Sequence, residues 1–250
     1  MGILYIVVPC YNEEEMLPKS APVFLGKLLG LIKSGKISDS SRVLFVDDGS
    51  GDRTWELISR LCDENEHAAG VKLQKNRGHQ NALMAGLVTA VKKADATVSM
   101  DADLQDDINA VDEMVDRWRS GCDIVCGVRK SRETDSFLKR VTARGYYFLM
   151  NLFGAGIIYD HADFRLLSRE AVRRLCCYGT DDLFLRGLIT RLGLPIEKVY
   201  YDRLPRLAGE SKYTVKKMLA LALRGMRCGR EKPSAEPRFG ELFIEKVKNV

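Results

Sequence analysis

The amino-acid sequence predicts an α/β fold: a mostly parallel central sheet flanked by helices. Three observations carry that prediction. Short apolar runs of strand length alternate with helical periodicities along the first half of the chain. The runs are almost continuously apolar, as strands buried on both faces must be. Three of them end abruptly in polar, mostly acidic clusters, which a parallel sheet would gather along one rim. The composition agrees. The chain has 250 residues, 46% of hydrophobic and 29% of charged types, which suits one large soluble domain or two small ones sharing a core.

In chain order, ILYIVV at 3–8 is closed by Pro9 and reads as a buried strand. Residues 14–33 place Leu17, Phe24, Leu28 and Leu31 at roughly helical spacing, and Pro18 and Pro22 argue for an irregular or late start. RVLFVDDGS at 42–50 is a second strand ending in carboxylates and a glycine, and Asp52 is placed to cap a helix running to about 66. VKLQ at 71–74 is a third strand. Leu83, Leu87 and Val91 mark a helix over 79–93. ATVSM at 96–100 and CDIVCG at 122–127 are further strands, with a helix at 109–119 between them. Beyond them the pattern predicts helices at 134–152, 169–178, 181–192 and 211–226, and strands at 164–168 and 196–201. The stretch 229–240 is rich in Gly, Pro and charge, and ELFIEKVKNV reads as a last short helix. The expected organisation is one large domain over 1–228 and a charged appendage over 229–250, without a transmembrane domain. No apolar run reaches the 20 or so residues of a membrane span. The first residues enter a strand directly, so no secretory leader is expected.

Charge is unevenly placed. The net charge is +5, but residues 201–250 hold 12 Lys or Arg against 6 Asp or Glu. That excess fits either a solvated helical face or attraction to phosphate groups and anionic membrane. Nothing in it requires nucleic acid. The 7 cysteines form no CxxC pair and read as buried thiols of a reducing compartment. GxGxxG, GxxxxGK[ST] and GxSxG are all missing, which argues against nicotinamide enzymes, P-loop NTPases and α/β-hydrolases.

The chemistry lies in the clusters Asn12-Glu13-Glu14, Asp47-Asp48 and Asp101-Asp103-Gln105. Each alone could be a turn or an N-cap; three in succession point to a cleft. In DADLQ at 101–105, two carboxylates can face the same side, where they repel unless a cation sits between them. Carboxylate and amide oxygens are hard donors that suit Mg²⁺ or Mn²⁺. His67, His79 and His161 lack the spacing of metal ligands.

VVPCYNEEE (7–15), VDDGSGD (46–52), NRGHQNA (76–82) and MDADLQD (100–106) resemble the ordered signature of family 2 glycosyltransferases with a GT-A fold. GVRKSR (127–132), DFRLLSREA (163–171), FLRGLI (184–189) and RLAGESKY (206–213) resemble the polyprenyl-phosphate sugar transferase branch, which includes dolichol-phosphate mannose synthase and bactoprenol glucosyltransferase. The resemblance spans about residues 3–225. It departs from the branch at Asp107, where many members carry proline, and at Ala162, where many carry glycine.

The resemblance implies an inverting transferase moving a sugar from a UDP- or GDP-sugar to polyprenyl phosphate. Pro9, Tyr11, Glu13, Asp47 and Asp48 would recognise the nucleoside. Asp101, Asp103 and Gln105 would hold Mg²⁺ or Mn²⁺. Arg206, Ser211 and Lys212 would hold the donor diphosphate, and Arg129, Arg140 and Arg144 the acceptor phosphate. Asp163 would orient the acceptor or the sugar. The alternatives are a related enzyme acting on a hydroxyl of a polysaccharide or glycolipid, with Asp163 or Asp181-Asp182 as base, and a non-catalytic sugar-nucleotide-binding protein. A peripheral place at the cytoplasmic face of a membrane is expected, with oligomerisation open.

Overall fold

The computed structural model describes residues 1–130, 161–178, 184–204, 233–234 and 244–250. Eight strands form one sheet among these residues: β1 (Leu4–Cys10), β2 (Arg42–Asp47), β3 (Ala68–Leu73), β4 (Ala96–Ser99), β5 (Ile124–Arg129), β6 (His161–Ser168), β7 (Ile196–Tyr201) and β8 (Ile244–Lys248). Their order across the sheet is β7-β5-β6-β4-β1-β2-β3-β8. β3, β2, β1 and β4 pair in parallel, as do β5 and β7. β6 runs antiparallel between β4 and β5, and β8 runs antiparallel along β3.

The helices are α1 (Leu17–Lys33), α2 (Thr54–Glu64), α3 (His79–Ala90), α4 (Ala110–Arg119), α5 (Arg169–Cys176) and α6 (Leu185–Ile189). They cover both faces. Phe24 and Leu28 of α1, Ile58 of α2 and Met114 of α4 join one buried cluster with Ile6, Phe45 and Val98. Leu83 and Leu87 of α3, Leu175 of α5 and Leu188 of α6 join the other, with Val7, Val46 and Leu167. All seven residues of β1 are buried, which explains its unbroken apolar run. α3 lies close on β1 and β2 because Gly86 has no side chain. A Cβ there would stand 2.4 Å from Val7 Cγ1 and 2.7 Å from Val46 Cγ2.

Several element boundaries differ from the sequence-based expectation. α1 starts at Leu17, with Pro18 in the first turn, where its missing N–H costs nothing, and Pro22 is carried inside the helix. Asp52 does serve the start of α2, its Oδ1 accepting the Thr54 N–H at 3.0 Å. β3 begins at Ala68, three residues early, because Ala68, Ala69 and Gly70 are small enough to hide a strand from hydrophobic patterning. Gly70 is pressed under α2: a Cβ would meet Ile58 Cγ2 at 2.8 Å. The last segment is a strand, not a helix. Ile244–Lys248 completes the edge beside β3, with Lys248 Nζ on Asp63 at 2.7 Å and Asn249 Nδ2 on the Cys62 carbonyl at 2.6 Å. Those edge hydrogen bonds decide the conformation of a stretch whose own propensity is weak. The expected helices at 134–152 and 211–226 lie outside the described residues.

Candidate active site

The parallel strands end along one rim, and the three polar clusters meet there. β1 runs out at Cys10 and turns at Asn12, a non-glycine residue with a left-handed φ of 52°. Asn12 is held on both sides: its N–H donates to Ser50 Oγ at 3.0 Å, and its Oδ1 accepts from Gly51 N at 3.0 Å. Glu13 N donates to Thr54 Oγ1 at 2.8 Å. The turn after β1 is thereby laced to the turn after β2. Pro9 is buried in the strand, and Tyr11 is exposed.

Asp47 and Asp48 end β2 and are both buried. Asp48 binds the loop before α3, with Oδ1 accepting from Arg77 N at 2.7 Å and Oδ2 from Gly78 N at 2.9 Å. Burial pushes its carboxyl above the ordinary value, and these two amides oppose that shift. Asp47 is also raised by burial, against hydrogen bonds from Ser50 and the charge of Lys72. Its Oδ1 accepts from Ser50 N at 3.0 Å, while its buried Oδ2 has no hydrogen-bond partner among the described residues. Gly49, at φ 64°, permits this packing, because a Cβ would lie 2.4 Å from the Lys75 carbonyl carbon.

Asp101 follows β4 at the mouth of the cleft, its side chain 44% exposed. Burial of its surroundings raises its carboxyl, His79 opposes this, and Asp163, Asp106 and Asp103 add to it. Asp103 Oδ1 accepts from Gln105 N at 3.2 Å, and Leu104 between them takes φ 52°. Asp101, Asp103 and Gln105 thus present oxygen donors on one tight loop amid surplus negative charge. That donor set fits a hard divalent cation. No three His, Cys, Asp or Glu side chains cluster as a complete metal cage among the described residues. A cation here would rest on two carboxylates and an amide oxygen and draw its other ligands from a bound molecule.

Beside this loop stands a clamp centred on Asp163, which enters at the start of β6. Arg165 Nη2 donates to its Oδ1. Arg186 of α6 grips it with Nε on Oδ1 at 3.2 Å and Nη2 on Oδ2 at 3.0 Å. Gln80 Nε2 reaches Oδ2 at 3.4 Å, and its own Oε1 accepts from Leu185 N at 3.2 Å, tying α3 to α6. His79 Nε2 lies 3.6 Å from Asp101 Oδ1 and 3.8 Å from Asp163 Oδ2, bridging clamp and loop. Burial alone would raise the Asp163 carboxyl. Arg186, Arg165 and His79 outweigh it and hold the group well below the ordinary carboxylate range.

Arg129, at the end of β5, donates from Nη2 to Asp106 Oδ1 at 3.2 Å, and Tyr201 OH donates to the same oxygen at 2.5 Å. It therefore braces the residue after Gln105. Arg140, Arg144, Arg206, Ser211 and Lys212 lie outside the described residues, as do Asp181 and Asp182. Sequence reasoning passed over His79, Gln80, Arg165 and Arg186 as site residues. A signal existed for each. His79 and Gln80 sit in the NRGHQNA motif and Arg186 in FLRGLI, and Arg165 is a charge embedded in an apolar strand, which demands a buried partner.

The model of the family described as Glycosyl transferase family 2 matches residues 5–176. A glycosyltransferase of Bacillus subtilis (strain 168) named YkoT, described as uncharacterized, is 46% identical over 224 residues, 90% of this chain and 66% of that protein. A bactoprenol glucosyl transferase of Shigella phage SfV is 35% identical over 243 residues, 97% of this chain and 76% of that protein. Among solved structures, a glucosyl-3-phosphoglycerate synthase of Mycobacterium tuberculosis, crystallised with Mn²⁺, UDP-glucose and phosphoglyceric acid, superposes with a TM-score of 0.62 at 17% identity. The likeness covers 95% of this chain and 90% of that one. The last comparison shows the fold, which is of the GT-A type. With the family model spanning the acidic rim, its loops and Asp163, the chain belongs to glycosyl transferase family 2.

Proposed function

We propose that the protein moves a sugar from a UDP- or GDP-sugar to polyprenyl phosphate with inversion at the anomeric carbon. The observation that carries this reading is the 35% identity, over 97% of this chain, to a bactoprenol glucosyl transferase, and the state of Asp163 agrees with it. A hydroxyl acceptor needs a carboxylate base beside the sugar. Asp163, facing the acidic loop, is held ionised by two guanidiniums and makes a poor proton acceptor. A phosphate oxygen is already anionic at pH 7 and needs no base. The likeness to the bactoprenol glucosyl transferase supports the same acceptor class. Direct attack on an α-linked donor would give a β-linked product.

In this reading Asp48 and its neighbours Pro9, Tyr11, Glu13 and Asp47 frame the nucleoside. Asp101, Asp103 and Gln105 hold Mg²⁺ or Mn²⁺, which when bound neutralises charge on the donor diphosphate. Arg206, Ser211 and Lys212 close on that diphosphate. Arg140 and Arg144 meet the acceptor phosphate, and Arg129 shapes the loop at Asp106. Asp163 orients rather than deprotonates. The site works at a membrane surface. No helix of the described residues is long and apolar enough to cross one. Tyr200 and Leu204 are exposed on and just after β7, leading into the basic last fifth of the chain.

A donor and acceptor screen tests the proposal. Purified protein is given UDP- and GDP-sugars, Mn²⁺ or Mg²⁺, and either short-chain polyprenyl phosphates or soluble glycans. Transfer to lipid phosphate is expected. Transfer to a glycan hydroxyl and never to lipid phosphate would overturn it.

A further inference from the structure

Gln105 carries the third oxygen of the acidic loop, and that oxygen is engaged. Its Oε1 accepts a hydrogen bond from Arg203 Nη2, from a residue 98 positions later in the chain. A second contact joins the same places: Leu204 N donates to the Gln105 backbone carbonyl at 2.8 Å. One residue further on, Asp106 receives Tyr201 OH and Arg129 Nη2. β7 and β4 are not neighbours, since β5 and β6 lie between them. The end of β7 therefore reaches over two strands to hold the loop after β4. The buried Leu104, in its left-handed conformation, shows that this loop's shape is imposed from outside it.

A guanidinium held on an amide oxygen repels a divalent cation that takes the same oxygen as a ligand, so the two compete for it. We propose that Arg203 is a positioning residue that holds the Gln105 side-chain oxygen while the acidic loop carries no cation, and that a cation arriving at Asp101, Asp103 and Gln105 displaces it. The proposal rests on the cation reading given above. The backbone contact of Leu204 and the Asp106–Tyr201 bond keep the loop in register while the guanidinium swings away. Arg203, which stands three residues before Arg206 in the chain, thus opposes loading by the cation alone.

The test is direct binding of Mn²⁺ to the nucleotide-free full chain, read from the electron paramagnetic resonance signal of free Mn²⁺. Wild type, R203A, R203K, Q105A, the Q105A/R203A double variant and D103A are compared, with circular dichroism confirming that each is folded. R203A is expected to tighten Mn²⁺ binding about three- to fivefold, the size of one part-exposed charge-assisted contact. R203K, which keeps a charge and a donor, is expected to stay within about twofold of wild type. In the Q105A background the same change is expected to do nothing. An unchanged affinity in R203A overturns the proposal. So does equal tightening with and without Gln105, which is general electrostatics. A wild type that binds Mn²⁺ no better than D103A overturns the cation reading itself, and the exchange with it.

Discussion

Replacing Asp163 by asparagine keeps the shape of the side chain and removes its charge. Two guanidiniums then lose the carboxylate between them, and one of them, Arg165, is 1% exposed. The clamp is not a store of surplus stability. Asp163 gains from it, but burial pulls Arg165 below its ordinary value, with Asp163 opposing and Arg186 adding to the loss. The cost appears when one partner goes. Stranding a buried charge costs about 3–5 kcal/mol. In a chain of this size each kcal/mol moves the melting point by about 2–4 °C, so D163N is expected to melt roughly 6–20 °C below wild type. Arg186 is 29% exposed, and R186Q leaves the Asp163–Arg165 pair intact, so its loss should be smaller, about 1–2 kcal/mol. The pH dependence has a definite sign. A carboxylate held below its ordinary value contributes fully above its unfolded value, near pH 4, and loses that contribution as pH falls through its folded value. The gap between wild type and D163N should therefore stay level from pH 8 to about 5 and narrow only in stronger acid. Thermal melts by circular dichroism across that range measure it. A D163N melt within about 1 °C of wild type, or a gap that closes near pH 6, would refute the electrostatic account.

Three further outcomes are expected. D103A should lower turnover by about 10²–10⁴-fold, as loss of a cation ligand does, with the apo melt within about 2 °C of wild type; radiolabelled sugar transfer and a melt check both. G86A should destabilise by about 1–3 kcal/mol through overpacking against Val7 and Val46, seen as a lower urea midpoint with an unchanged slope. Y201F removes a donor from buried Asp106 while leaving Arg129 in place, and should cost about 1–2 kcal/mol in the same assay.

The sheet was largely legible because β1, β2 and β4 are buried on both faces and are filled mostly by apolar residues, Thr97 and Ser99 being buried exceptions in β4. β3 was half legible: Val71 and Leu73 speak for a strand, while Ala68, Ala69 and Gly70 are dictated by the approach of α2 rather than by strand propensity. The tail was misread because Ile244–Lys248 has no pattern strong enough to choose. Its pairing with a distant strand chose for it. In the site, the acidic clusters were visible at strand ends, since position after an apolar run is a local property. The pairing of Asp163 with its partners was not. Gln80 and Arg186 are separated from it by 83 and 23 residues, and only the crossing of β6 past α3 and α6 brings them together. That Arg129 also meets Asp106 is equally beyond what a sequence can reveal.

The two strands that run against the rest have a consequence for how this chain can vary. β6 and β8 both begin at the rim where the parallel strands end: Val128 pairs with His161, and Leu73 with Ile244. The stretch between β5 and β6 therefore leaves and re-enters the sheet at adjacent points beside the cleft. The stretch after β7 leaves at one edge and returns at the other, on the order of 34 Å away. On the way, Ser234 touches the Cys177 carbonyl at the end of α5. Each excursion leaves and rejoins the sheet at the rim where the parallel strands end, so a change in its length need not disturb any strand register. Exchanging these two stretches between relatives, with the core held constant, would measure how much of substrate preference resides in them.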